Sequence, residues 1–205
     1  MSDLIEKKMR KINSSPKRLS ESKKKLLVLD MDETLIHSSP IKLSENYIFR
    51  VFGFFVYERP YLQEFLKNIS EYYSLGIWSA GADNYVAKII DKIIPPYISL
   101  DFVWGRSKCV PELKSLFKVR TDNFSYMKEL RTLEKFGYNL KDIVLVDDSR
   151  KIRLINPKNS MVISPFTGEE DDKELIRLEN FLLSIRKEEN FQKIDFSEWE
   201  LKVFL

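Results

Sequence analysis

Residues 26–39 read LLVLDMDETLIHSS: a short apolar run that stops abruptly at two carboxylates, Asp30 and Asp32, followed by Thr34. Four consecutive apolar residues between lysines and an acid suit a strand buried on both faces, as in a parallel sheet. Open α/β sheets keep their chemistry beyond the carboxyl ends of such strands. Two acids there suit a reaction in which one carboxylate attacks phosphorus and the other moves a proton. The same letters can also mark a helix N-terminus, with Asp32 or Thr34 capping exposed amides.

A second stretch separates these readings. Residues 141–152, KDIVLVDDSRKI, again run an apolar strand into a carboxylate pair, Asp147 and Asp148. Four acids gathered at the ends of two strands repel one another unless a cation stands among them. A hard divalent ion bound by oxygen, Mg²⁺, is the expected solution.

DMDETLIHSS and LVDDS resemble the first and fourth motifs of the haloacid dehalogenase superfamily. Within it they are most similar to the phosphatases of the RNA polymerase II C-terminal domain and their NLI-interacting-factor-like relatives. Further support comes from ERPYLQEFL (58–66), GIWSAGADNYV (76–86), WGRSKCV (104–110), YMKELRTLEKFG (126–137) and INPKNSMVIS (155–164), which follow the family's order from about residue 24 to about residue 185.

The resemblance implies a Rossmann-like three-layer α/β sandwich with a central parallel sheet and a small β-hairpin insertion after the first strand. It also implies a set of roles. Asp30 is the nucleophile, Asp32 the acid and base, and Thr34 the support of their loop. Ser79 and Lys128 hold the transferring phosphoryl group, and Arg106 is directed at substrate phosphate. Mg²⁺ is expected on the Asp30 carboxylate, the Asp32 main-chain carbonyl, Asp147 and Asp148. The implied substrate is a phosphoserine or phosphothreonine in a protein segment, with the RNA polymerase II tail as the family's own. Two other functions compete: a small-molecule or nucleic-acid-end phosphatase of the same superfamily, and a catalytically silent binding scaffold. Retention of Asp30, Asp32, Ser79, Lys128, Asp147 and Asp148 speaks against the scaffold.

Around these motifs, periodicity outlines the remaining elements. YIFRVFGFFVYERP suggests a hairpin turning at Gly53, and its aromatics (Tyr47, Phe49, Phe52, Phe54, Phe55 and Tyr57) are divided between core and a landing surface for peptide. After Pro60, apolar positions 62, 65, 66 and 69 predict a helix on the sheet. SLGIWS predicts a buried strand, followed by a helix from ADNYVAKIIDKI. Helical signals recur at 124–136, carrying Lys128. The segment PELKSLFKVRTDN, with Lys114, Lys118 and Arg120, looks longer than its counterpart in the family and bears on substrate choice. EEDDKELIRLENFLLSI predicts an acid-capped helix, followed by a tail packed through Phe196, Trp199 and Phe204. His37, the single histidine, is expected in a helix or loop after the first motif, with a structural role.

Composition agrees with one domain: 205 residues, 43% hydrophobic, can bury a sizeable core. Residues 1–25 hold nine Lys or Arg against three acids, while the other 180 residues sum to −3. The expected division is a basic, poorly ordered leader over 1–23 and a phosphatase domain over 24–205. The leader reads as a solvated end, with nucleic-acid contact as the lesser alternative. No apolar run has transmembrane length and the N-terminus lacks a secretory pattern, so no membrane partner and an intracellular setting, nuclear or cytoplasmic, are expected. The single Cys109 excludes an internal disulfide and lacks companions for a cysteine-based zinc site; partial burial near a strand end is its expected place.

Overall fold

A computed structural model describes residues 12–16, 24–111 and 126–200. Its centre is a five-stranded, all-parallel sheet built from β1 (Lys25–Leu29), β5 (Tyr73–Trp78), β6 (Leu100–Trp104), β9 (Ile143–Asp147) and β10 (Ser160–Val162), in the order β10-β9-β1-β5-β6. Side chains alternate across the strands, and the core divides accordingly. Leu27, Leu29, Leu75, Ile77, Val144 and Val146 face one cluster. Leu26, Val28, Trp78, Ile143 and Leu145 face the other.

The first cluster is covered by α1 (Leu62–Ser70), α2 (Asp83–Ile93) and α4 (Glu174–Ile185). In α1 the buried residues are Leu62, Phe65, Leu66 and Ile69, the stripe the spacing predicts. Phe191, Phe196 and Trp199 close the same layer after α4; Phe204 lies outside the described residues. The second face is covered more thinly, by the short helix α3 (Ile152–Ile155) and a 3-10 segment over Leu130–Phe136.

That 3-10 segment corrects the α-helix expected at 124–136, of which residues 124 and 125 lie outside the described residues. Leu130, Leu133 and Phe136 repeat every three residues and pack on the second cluster, a period that suits three residues per turn. The segment ends at Gly137, in the left-handed region at φ 83°. Before it, β8 (Tyr126–Met127) pairs antiparallel with β7 (Val110–Pro111), so Lys128 sits between a strand and a 3-10 turn.

The insertion after β1 holds three strands: β2 (Ile36–Ser39), β3 (Phe49–Val51) and β4 (Phe54–Glu58), ordered β2-β4-β3 and antiparallel. The β3–β4 hairpin turns on Phe52 and Gly53, both at positive φ (47° and 91°), as a two-residue hairpin loop requires. β2 is a correction, since it places His37 on a strand. IHSS carries no clear apolar alternation, and its strand character comes from pairing with β4.

Within the stretch expected as leader, residues 12–16 are docked on the outer edge of β6. Ile12 bridges Val103, the Asn13 amide donates to Val103 O (2.8 Å), and Trp104 Nε1 donates to Ser14 O (3.0 Å). The Val103 carbonyl on the edge of β6 is thereby paired. Residues 112–125, with Lys114, Lys118 and Arg120, lie outside the described residues, as do 1–11 and 17–23.

Candidate active site

Three adjacent strands deliver the site. Asp30 and Asp32 follow β1, Asp147 ends its neighbour β9, and Ser79 follows its other neighbour β5. Asp30 is anchored by its amide, which donates to Val146 O (2.9 Å). The next turn is wound tightly, with the amides of Leu35 and Ile36 both donating to Met31 O (2.9 and 3.1 Å). Glu33 occupies the left-handed region at φ 56°. Its amide donates to Ile36 O and its carbonyl accepts from the Phe166 amide, each at 2.7 Å. Thr34, fully buried, directs its hydroxyl toward Asp30 Oδ2 at 3.4 Å. Both carboxylates are thus carried on a turn fastened from several sides.

Lys128 Nζ lies between two of the acids. It donates to Asp30 Oδ1 and, at 2.6 Å, to Asp147 Oδ2, with only 4% of the residue exposed. Asn156 holds the lysine in place: its side chain donates to Lys128 O (2.7 Å) and accepts from the Leu130 amide (3.1 Å). Burial works against the lysine's charge, but the Asp147 and Asp30 carboxylates outweigh it and keep the ammonium protonated above its usual range. Burial raises the Asp30 pKa well above the ordinary carboxylate value, with Lys128 opposing. Asp148 is also raised, by burial and then by Asp147.

Carboxylate oxygens of Asp30, Asp147 and Asp148 lie within 4.8 Å of one another. This all-oxygen, anionic set fits a hard divalent cation. A bound ion would lower the raised pKa values of its ligands.

Both oxygens of Asp32 are occupied. Ser79 Oγ donates to Oδ2 (3.1 Å) and the Tyr85 hydroxyl to Oδ1 (2.6 Å). Burial raises the Asp32 pKa, and these hydrogen bonds restrain the rise. Ser79 is 1% exposed, and its oxygen also accepts from the Gly81 amide (2.9 Å). A Cβ on Gly81 would lie 3.1 Å from Ser79 Oγ and 3.4 Å from Asp32 Oδ2, so the absent side chain lets the backbone come close to the acid.

Arg106 stands across the mouth. Its Nε donates to Ala80 O (2.9 Å), its amide donates to Gly81 O (2.9 Å), and its guanidinium lies 5.0 Å from the Tyr126 ring centroid. Asp30, Asp32, Lys128, Asp147, Asp148 and Arg106 all line one open cavity of about 390 Å³. Thr34 and Ser79 stand behind its wall. A neighbouring groove of about 470 Å³ shares Asp32 and Arg106 and runs past Phe52, Phe54 and Tyr85. Among the hairpin aromatics, Phe52 and Phe54 are exposed and Tyr57 is buried.

Sequence reasoning passed over Tyr85, Ser38, Glu33 and Arg59. Tyr85 lies in GIWSAGADNYV, one helical turn beyond the motif, where a tyrosine in an amphipathic helix reads as core. Glu33 is pushed up to about 7 by burial and by the charges of Asp32 and Asp148, and it accepts from or shares a proton with His37 Nδ1 at 3.1 Å. Cys109 is half-buried one residue before β7, and burial pushes its thiol up to about 11.

Known proteins resemble this chain in sequence and in fold. The chain is 31% identical over 182 residues to CTD small phosphatase-like protein 2 of Dictyostelium discoideum, a match covering 85% of this chain and 30% of that protein. It is 29% identical over 188 residues to CTD nuclear envelope phosphatase 1 of Xenopus tropicalis, covering 84% and 72%. Among solved structures, Fcp1, an essential RNA polymerase II CTD phosphatase, aligns with a TM-score of 0.60 at 21% identity, over 83% of this chain and 64% of that one, which shows a shared fold. The chain thus spans under a third of the first of these relatives. Among the described residues no helix is long and apolar enough to cross a membrane. The family model for NLI interacting factor-like phosphatases matches residues 25–192, and the chain belongs to that family of the haloacid dehalogenase superfamily.

Proposed function

We propose that this protein is a Mg²⁺-dependent phosphoprotein phosphatase that removes phosphate from serine or threonine through an aspartyl-phosphate on Asp30. The observation that carries the reading is the pairing of two differently held carboxylates. Asp30 is set against Lys128 and the Asp147–Asp148 pair, while Asp32 is held apart by Ser79 and Tyr85. Environments that separate two acids in this way suit them to separate roles.

The ion would be held by the carboxylates of Asp30, Asp147 and Asp148, with the main-chain carbonyl of Asp32. When bound, it supplies positive charge that offsets the anionic phosphate and the acids around it. Asp30 attacks phosphorus in line, and the bond to the ester oxygen breaks as Asp32 delivers its proton to that oxygen. The raised pKa of Asp32 favours the protonated form this step needs. In the second half Asp32 takes a proton from water, which attacks the aspartyl-phosphate and returns Asp30. Lys128 balances the charge that builds on the phosphoryl oxygens, and Arg106, at the mouth, meets the same group from outside. Ser79 aligns Asp32 from behind the cavity wall, and Gly81 beside it lines the cavity.

A protein segment is the favoured substrate because the cavity opens directly onto the groove past Phe52 and Phe54. The RNA polymerase II tail is the candidate that the relatives' names suggest. The test compares turnover of phosphoserine-proline peptides, nucleoside monophosphates and an aryl phosphate, with Mg²⁺ and with chelator, by wild type and Asp30→Asn. Metal-dependent turnover that favours the peptides and is lost in Asp30→Asn is expected. Peptide hydrolysis that survives chelation or Asp30→Asn would overturn the mechanism, and preference for nucleotides would overturn the substrate class.

A further inference from the structure

Tyr85 reaches the acid from outside the first motif. It stands in the first turn of α2, where its amide donates to Ala82 O (2.9 Å). Its hydroxyl lies 2.6 Å from Asp32 Oδ1 and 2.7 Å from Ser38 Oγ on β2. A phenol has one hydrogen to give. With that hydrogen on Asp32, Ser38 is the donor to Tyr85, and the order runs from Ser38 through Tyr85 to Asp32. Ser79 holds the opposite carboxylate oxygen at 3.1 Å, so the plane of the Asp32 carboxyl group is fixed from two sides by two elements. Tyr85 also forms part of the groove wall with Phe52 and Phe54.

We propose that Tyr85 is a positioning residue for leaving-group protonation: it orients Asp32 toward the departing oxygen, and Ser38 in turn orients Tyr85, tying the acid to the inserted three-stranded sheet. This rests on the reading of Asp32 as general acid. In the step concerned, the Asp30–phosphorus bond forms and the phosphorus–ester oxygen bond breaks. The proton passes from Asp32 to that oxygen, and Tyr85 neither gains nor loses one. The device matters in proportion to how badly the leaving group needs a proton. An alkyl oxide, as from phosphoserine, needs it; a nitrophenolate leaves without it.

The experiment follows first-turnover release of alcohol from a phosphoserine peptide and from 4-nitrophenyl phosphate, with the full chain and Mg²⁺. It uses wild type, Asp32→Asn, Tyr85→Phe and Ser38→Ala. First-turnover rates isolate phosphorylation of Asp30 from the later hydrolysis, in which Asp32 also takes part. Tyr85→Phe is expected to lose at least about tenfold more rate on the peptide than on the aryl ester. Asp32→Asn should show a larger split in the same direction and Ser38→Ala a smaller one. A Tyr85→Phe variant that falls equally on both substrates, while Asp32→Asn splits them, would make Tyr85 merely structural and overturn the proposal. If Asp32→Asn itself fails to split them, the general-acid reading falls first and takes the proposal with it. Should Tyr85→Phe fail to fold, Ser38→Ala decides: a split supports the relay and equal rates overturn it.

Discussion

Lys128 carries a full charge in a place almost closed to water because two carboxylates, Asp30 and Asp147, meet it there. Removing one partner of such a set strands the others, at a cost of about 3–5 kcal/mol. Lys128→Met should therefore lower stability by that order and reduce kcat on any phosphate ester by about a hundredfold or more. Added Mg²⁺ should restore more stability to this variant than it adds to wild type, because the ion then neutralises unpaired acids; thermal melts with and without Mg²⁺ read this directly. Asp32 gives a pH prediction. Burial raises its pKa, so its proton is retained to higher pH than for an ordinary aspartate. The acid form is complete below that pKa and disappears above it, so turnover of alkyl phosphates should fall as pH climbs through it. In Asp32→Asn that falling limb should vanish from the rate profile.

At the level of elements, Arg59 fastens the turn of the first motif to the C-terminal part of the chain. Fully buried just after β4, it donates through Nη1 to Thr34 O (3.1 Å) and through Nη2 to Ser164 O (2.9 Å). It also pairs with Asp172 through Nε (3.0 Å) and Nη2 (2.8 Å). Asp172→Ala leaves that guanidinium buried with half its partners and should cost about 3–5 kcal/mol in chemical denaturation. A cost below about 1 kcal/mol would show that water or another acid takes over. The contrast between Arg59 and Asp30 shows what a sequence can reveal about elements. Asp30 and Asp147 were legible because an apolar strand ending in acids names both an element and its chemistry. Arg59 and Tyr85 act across 113 and 53 residues of chain separation, and local pattern carries no trace of such pairings. The strand β2 was hidden for a related reason, since IHSS depends on its partner β4. The spacing of Leu130, Leu133 and Phe136 marked a buried face, and its three-residue period suits the closer winding of a 3-10 segment better than that of an α-helix.

Over the whole molecule, the parallel sheet places the acid-bearing ends of β1 and β9 side by side, and an ion that bridges them should stabilise the fold as a ligand does. Raising Mg²⁺ from a level near its Kd to about a hundred times that value should add about 2–3 kcal/mol. The gain should shrink in Asp147→Asn and Asp148→Asn, as melting temperature against Mg²⁺ concentration would show; an undiminished gain would place the ion elsewhere. Covalent catalysis by Asp30 is tested most directly by rapid acid quench of the wild-type protein during turnover of a phosphoserine peptide, followed by mass spectrometry of the digested chain. One phosphoryl group is expected on the peptide containing Asp30, absent in Asp30→Asn and accumulating further in Asp32→Asn with an activated aryl phosphate. Turnover with no acid-stable phosphoryl adduct in wild type or Asp32→Asn, or an adduct on another residue, would contradict it.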